Sequence, residues 1–331
     1  MRVVMMGTGT FAEPTLERLL ARPGLVAGVV TQPDRDIGAK RGSTRQVGKG
    51  IKSIADAAGV PVIQPASINT PEGVAALREF RPDLFVVAAY GQILKPEVLA
   101  AAPLGGINVH ASLLPKYRGA APVAWAIWSG ETRTGVTIIR MSAGLDAGDM
   151  LAQEAIDILP DETAGELEAR LAPLGAQSAM QVIDRLAEGP FTGMKQEATQ
   201  VTRAPKLKKE MGQIDWSQSA DRVRNQIRAM QPWPTAYTFL HGEGGTATRV
   251  IVTRARLTHV LKTRPTDPGH LWSSVEPGRH GPVLMVETGS QDFDLCVLEL
   301  QPAGKRAMST AEFLRGRPLQ PGDRFGADTG S

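Results

Sequence analysis

Short, wholly apolar runs alternate with amphipathic stretches through the first half of the chain. Residues 2–6 read as a strand, 7–10 as a turn, and 14–22 as a helix with Leu16, Leu19 and Leu20 at helical spacing. The alternation continues with strands at 26–31, 61–63 and 84–89 and helices at 52–59 and 71–80. Further strands follow at 107–110 and 136–141, then a long helix at 163–186 with Leu167, Leu171, Leu174 and Ile183 inward. Strands that are apolar without interruption are covered on both faces. The pattern therefore predicts a Rossmann-like α/β fold, a parallel sheet between helices, with ligands outside the carboxyl ends of the strands.

The pattern changes after Gly189-Pro190. Residues 191–209 keep no sustained period and hold Pro205 with Lys206, Lys208 and Lys209, as a basic linker would. Beyond it come one helix at 219–230 and short strands at 249–258, 269–272, 283–288 and 295–300. One helix with several short strands predicts a small β-barrel of the oligonucleotide-binding (OB-like) type. The expected organisation is a first domain over 1–190, a linker over 191–209, a barrel over 210–317 and a frayed tail over 318–331.

Composition narrows the class. The chain has 331 residues, 42% hydrophobic and 21% charged, which suits two soluble globular domains. A lone cysteine, Cys296, supports neither an internal disulfide nor a cysteine-based zinc cluster, so a reducing, cytoplasmic setting and no metal are expected. No apolar run approaches the roughly 20 residues of a spanning helix, and no membrane association is expected. Net charge is +3, yet residues 1–190 carry −2 and residues 191–331 carry +5. Within the first half, residues 35–52 gather Arg35, Lys40, Arg41, Arg45, Lys49 and Lys52 against the single acid Asp36. Positive charge concentrated twice suits a phosphate-bearing partner.

Three motifs could carry chemistry. Gly7-Thr8-Gly9-Thr10-Phe11-Ala12 follows a strand and precedes a helix, as a dinucleotide fingerprint does. It has two glycines, Pro14 at the helix start and only the late Asp34 to hold a ribose, so a tight turn is the reading and no NAD is expected. Asn108 and His110 stand at i and i+2 on a strand and share a face, where an amide donor and an imidazole could act on one atom. The loop from Ser112 to Pro122 follows, and downstream Gly144-Leu145-Asp146-Ala147-Gly148-Asp149 places a carboxylate in a turn. Asp146 could pair with His110.

With these motifs, residues 4–12, 31–35, 89–94, 108–122 and 144–151 together with Ile214-Asp215-Trp216 and Pro232-Trp233-Pro234 make the chain resemble the methionyl-tRNA formyltransferase family over 2–315. The resemblance implies formyl transfer from 10-formyltetrahydrofolate to the α-amino group of initiator methionyl-tRNA, with no covalent enzyme intermediate. It implies that Asn108 and His110 stabilise the oxyanion and that Asp146 orients His110 and favours its imidazolium form. Ser112, Leu113, Leu114, Pro115 and the Tyr90 region are implied to hold the folate. Lys40, Arg41, Arg45, Lys49, Lys206, Lys208 and Lys209 are implied to meet the tRNA, and no obligate protein partner is expected. The family's loop motifs have Asp and Thr where this chain has Ser142 and Ala147, and an Arg where Ala39 stands. The residues alone leave open formyl transfer to a small amine or sugar nucleotide, hydrolysis of the formyl folate, and RNA binding without chemistry.

Overall fold

The computed structural model describes residues 1–34, 48–242, 247–260, 262–263, 265–275 and 281–328. Contacts divide the chain into two compact units. The first comprises Met1–Val123, Arg133–Ile158 and Gly165–Lys206, and the second Ala124–Thr132, Leu159–Ala164 and Leu207–Ser331.

In the first unit the chain runs β1 (Val3–Gly7), α1 (Glu13–Leu20), β2 (Val26–Val30), α2 (Ile51–Ala57), β3 (Val62–Ile63), α3 (Pro71–Glu79), β4 (Leu84–Ala88), α4 (Pro96–Leu99) and β5 (Gly106–His110). It continues through β6 (Arg118–Gly119), α5 (Pro122–Trp128), whose residues from Ala124 onward belong to the second unit, β7 (Arg133–Arg140), β8 (Met150–Asp157), α6 (Ala164–Glu188) and β9 (Arg203–Ala204). β1 and β4 are buried along their whole length, as apolar runs at the middle of a sheet must be. The sheet order is β3-β2-β1-β4-β5-β7-β8. The chain winds outward from β1 to β3, then returns to β4 on the other side of β1, and ligand crevices form where such an order reverses.

The pairings from β3 through β5 are parallel, as expected, whereas β5–β7 and β7–β8 are antiparallel. The turn 141–149 between β7 and β8 is too short for the crossover a parallel pair requires, so the last pair must be antiparallel. β8 escapes the apolar pattern because it is an edge strand with mostly exposed or half-buried residues. Of the linker expected over 191–209, residues 191–206 belong to the first unit and 207–209 to the second: β9 pairs with β6, and Met194 and Met150 exchange backbone hydrogen bonds of 2.8 Å in each direction.

The second unit contains α7 (Ala220–Ala229), β10 (Ala236–His241), β11 (Thr248–His259), β12 (Leu271–Val275), β13 (Pro282–Val286), β14 (Phe293–Pro302), β15 (Met308–Ser309), α8 (Thr310–Gly316) and β16 (Arg324–Gly326). Its antiparallel sheet has the order β12-β13-β14-β11-β10-β16, with β15 against β14. The sheet curls into an OB-like half-barrel whose ends touch where His270 bridges Arg324. The frayed tail expected over 318–331 is corrected for its described residues, 318–328, while 329–331 lie outside the described residues. β16 pairs with β10, Phe325 is 1% exposed and stacks on Trp216, and the Arg317–Asp323 ion pair of 2.7 Å braces the approach. A single buried aromatic in a polar stretch anchors this strand, so no periodic signal marks it. No helix among the described residues is long and apolar enough to cross a membrane.

Candidate active site

The site is built on the carboxyl end of β5. Asn108 and His110 share one face while Val109, 3% exposed, packs on the other. His110 is buried, and its Nε2 lies 2.9 Å from the Tyr117 carbonyl oxygen. A carbonyl only accepts, so Nε2 carries the hydrogen and donates it. Nδ1 faces Asp146 Oδ2 at 3.6 Å, a close approach without a hydrogen bond. The same Oδ2 accepts from the Gly119 backbone N–H at 2.9 Å, and Oδ1 accepts from Asn108 Nδ2 at 3.4 Å. One carboxylate therefore touches the amide, the imidazole and the loop that supplies the imidazole's other partner.

Burial pushes the His110 ring below its ordinary pKa; the Asp146 carboxylate and the Tyr117 carbonyl pull it upward without offsetting the burial. Asp146 thus acts in the direction the sequence suggests, but the ring is neutral in the free protein near pH 7. Both neighbours of the ring hold unusual backbone. Tyr117 has φ 64° and Asp146 φ 48°, left-handed values that cost a non-glycine residue about 1–3 kcal/mol and persist only where other bonds hold them.

The loop after β5 is buried at Ser112, Leu114 and Pro115 and half-buried at Leu113. Ser112 Oγ donates to the Lys116 carbonyl at 2.7 Å, so this hydroxyl is committed within the loop. Two residues that the sequence did not single out fasten it. Thr137 Oγ1 donates to the Ser112 carbonyl at 2.7 Å and accepts from Leu114 N–H at 3.1 Å, while Gln153 Nε2 donates to the Leu114 carbonyl at 2.9 Å. A polar residue inside the apolar run Val136–Ile139 was the available signal for Thr137. Tyr90 sits in a core cluster with Val4, Met6 and Phe85, its phenol pKa pushed up to about 12 by burial. Its hydroxyl has no hydrogen-bond partner among the described residues. At the Gly7 turn a Cβ would come within 2.7 Å of Ala12 Cβ and 3.0 Å of the Ala88 carbonyl, so helix–strand packing alone accounts for that glycine.

Residues 1–183 match the family described as Formyl transferase, and residues 206–318 match Formyl transferase, C-terminal domain. The chain is 43% identical over 326 residues to the methionyl-tRNA formyltransferase of Geobacter sulfurreducens, covering 98% of this chain and 97% of that protein. The chain belongs to the methionyl-tRNA formyltransferase family. A second member, from Geobacter metallireducens, is 44% identical over 324 residues, covering 98% of each chain. The fold is also that of an N-formyltransferase from Helicobacter canadensis, solved with folinic acid and dTDP-3-aminofucose. That likeness has TM-score 0.62 at 18% identity, over 89% of this chain and 98% of that one.

Of the basic residues that methionyl-tRNA formyltransferase resemblance assigns to tRNA, Lys40, Arg41 and Arg45 lie outside the described residues. Lys49 is exposed and ion-paired with Glu17 at 2.8 Å. Lys206, Lys208 and Lys209 are exposed, with Leu207 buried among them. Alternation of exposed lysines around one buried leucine keeps the charges on the surface.

Proposed function

We propose that this protein transfers the formyl group of 10-formyltetrahydrofolate to the α-amino group of methionine on initiator tRNA, with Asn108, His110 and Asp146 carrying the chemistry. The observation that carries the reading is the meeting of an amide, an imidazole and a carboxylate at the end of β5 in a chain that shares this family over nearly its whole length. The neutral amine attacks the formyl carbon, a C–N bond forms, and the carbonyl electrons move onto oxygen. As the oxyanion collapses, the bond to folate N10 breaks and N10 takes up the proton that the amine gives up.

Asn108 Nδ2, which donates to Asp146 Oδ1 across a long 3.4 Å, is the donor for the oxyanion. Such bonds are commonly long in the free enzyme and tighten around the transition state. The amine's proton meets two adjacent acceptors, Asp146 and His110 Nδ1. A ring that is neutral before the reaction can take that proton, and the carboxylate then stabilises the imidazolium until the leaving nitrogen receives it.

A folate co-substrate fits the residues present. In the loop 112–115 the half-buried Leu113 offers an apolar edge to its rings, and the orphaned Tyr90 hydroxyl is a buried donor that a polar group or a water could satisfy. The exposed lysines at 206, 208 and 209 suit phosphates of a tRNA acceptor stem. The deciding experiment incubates the protein with 10-formyltetrahydrofolate and, in parallel, charged initiator tRNA, charged elongator tRNA, a dTDP-aminosugar or no acceptor. Formylation of the initiator well ahead of the elongator is expected. Transfer to the sugar nucleotide but not to tRNA, or formate release without an acceptor, overturns the reading.

A further inference from the structure

Both groups that flank the His110 ring are held from one place. Gln196 Nε2 donates to the Asp146 carbonyl and to the Gly148 carbonyl, each at 2.8 Å, and its Oε1 accepts from Arg118 Nε at 3.0 Å. Both N–H donors and the acceptor of that side-chain amide are thereby engaged. Six residues on, Thr202 Oγ1 accepts from the Tyr117 N–H at 2.8 Å and the Thr202 carbonyl accepts from the Arg118 N–H at 2.9 Å. Parallel pairing of Arg118 with Arg203 and of Gly119 with Ala204 continues the attachment. Tyr117 and Asp146, the left-handed residues on either side of the imidazole, are each fastened by this strap.

We propose that the strap 191–206 is part of the catalytic centre, with Gln196 a positioning residue that holds the Asp146 carboxylate against His110 and Thr202 one that holds the Tyr117 carbonyl. The inference rests on the proposed role of Asp146 in formyl transfer. Gln196 need not touch either substrate; it acts through the backbone of the 144–149 turn. A segment that looks like a linker in composition is thus what aligns two loops 27 residues apart at Gly119 and Asp146.

The test uses the full chain with Gln196→Leu, Gln196→Glu, Thr202→Val and Thr202→Ser. Gln196→Leu removes all three bonds, and Gln196→Glu keeps the acceptor for Arg118 but sets a carboxylate against two carbonyls. Both are expected to lower kcat at least tenfold with KM for the folate within about threefold. Thr202→Val should lower kcat and Thr202→Ser should restore it, because the serine oxygen still accepts from Tyr117. Combined with Asp146→Asn, Gln196→Leu should add little, since both act on one carboxylate. The readout independent of turnover is the NMR titration of the His110 ring: losing the facing carboxylate should move its midpoint to lower pH in Gln196→Leu. An unmoved titration, kcat within twofold of the parent, or full additivity with Asp146→Asn overturns the inference. If Asp146→Asn is itself fully active, the proposed chemistry fails instead, and the titration still reports whether the strap holds the carboxylate.

Discussion

His110 is neutral, buried and bracketed by a carbonyl and a carboxylate, and this state carries two consequences at the scale of single residues. Its pKa in the fold lies below the ordinary 6.5, so the unfolded chain binds more protons as pH falls. Stability is therefore lost as pH drops through and below that ordinary value, and thermal midpoints of the parent should fall more steeply on acidification than those of His110→Asn. Parallel slopes for the two proteins would count against a buried neutral ring. The catalytic consequence is that Asn108→Ala and His110→Ala should each lower kcat about 100-fold, roughly 3 kcal/mol, with unchanged circular dichroism. Near-parental turnover in either would remove that residue from the reaction. Asn108 and His110 were legible because two polar residues at i and i+2 interrupt an apolar strand. Gln196 and Thr202 were not, since an amide and a hydroxyl in a polar stretch look like any surface residue until their partners are known.

At the scale of elements, the β7–β8 turn is what brings Asp146 back to β5. A Cβ on Gly148 would overlap the Arg140 carbonyl oxygen, so the turn closes only with glycine there. Gly148→Ala should cost at least tenfold in kcat and lower the thermal midpoint. Gly316→Ala, at a position with nothing within 4 Å of the added Cβ, should do neither. Equal activities for the two would show that the turn tolerates rearrangement. The strands β1, β4 and β5 were readable as apolar runs, whereas β8, β10 and β16 were not. β8 is half exposed at an edge, β10 alternates buried Ala236, Thr238 and Leu240 with half-buried neighbours, and β16 is three residues around one buried Phe325.

For the molecule as a whole, charge is the property that couples it to a polyanion. Lys206, Lys208 and Lys209 are exposed, and replacing them with alanine should weaken initiator and elongator tRNA alike, reducing the slope of log affinity against log salt by about 0.7–0.9 per lost phosphate contact. A selective loss for one tRNA would mean these lysines read something other than backbone. Alanine at Lys40, Arg41 and Arg45 should instead narrow the ratio of kcat/KM between initiator and elongator, because distortion of the acceptor end costs different amounts in the two. An unchanged ratio would place selection elsewhere. Lys49 should contribute less, since its ammonium is already drawn to Glu17, an exposed pair that contributes little to stability.

The amino-acid sequence by itself determined the α/β sheet, the presence of a β-rich second part of the chain, the pair Asn108 and His110, and the family, because each is local: a period, a spacing, a string of neighbours. Only the tertiary structure decided that Asp146 touches Asn108, His110 and Gly119 together, that burial outweighs that carboxylate in setting the ring's charge, and that residues 191–206 fasten both loops instead of merely joining two domains. Those outcomes depend on distances between segments far apart in the chain and on how much water is excluded where they meet. Neither quantity is written in any single stretch of residues.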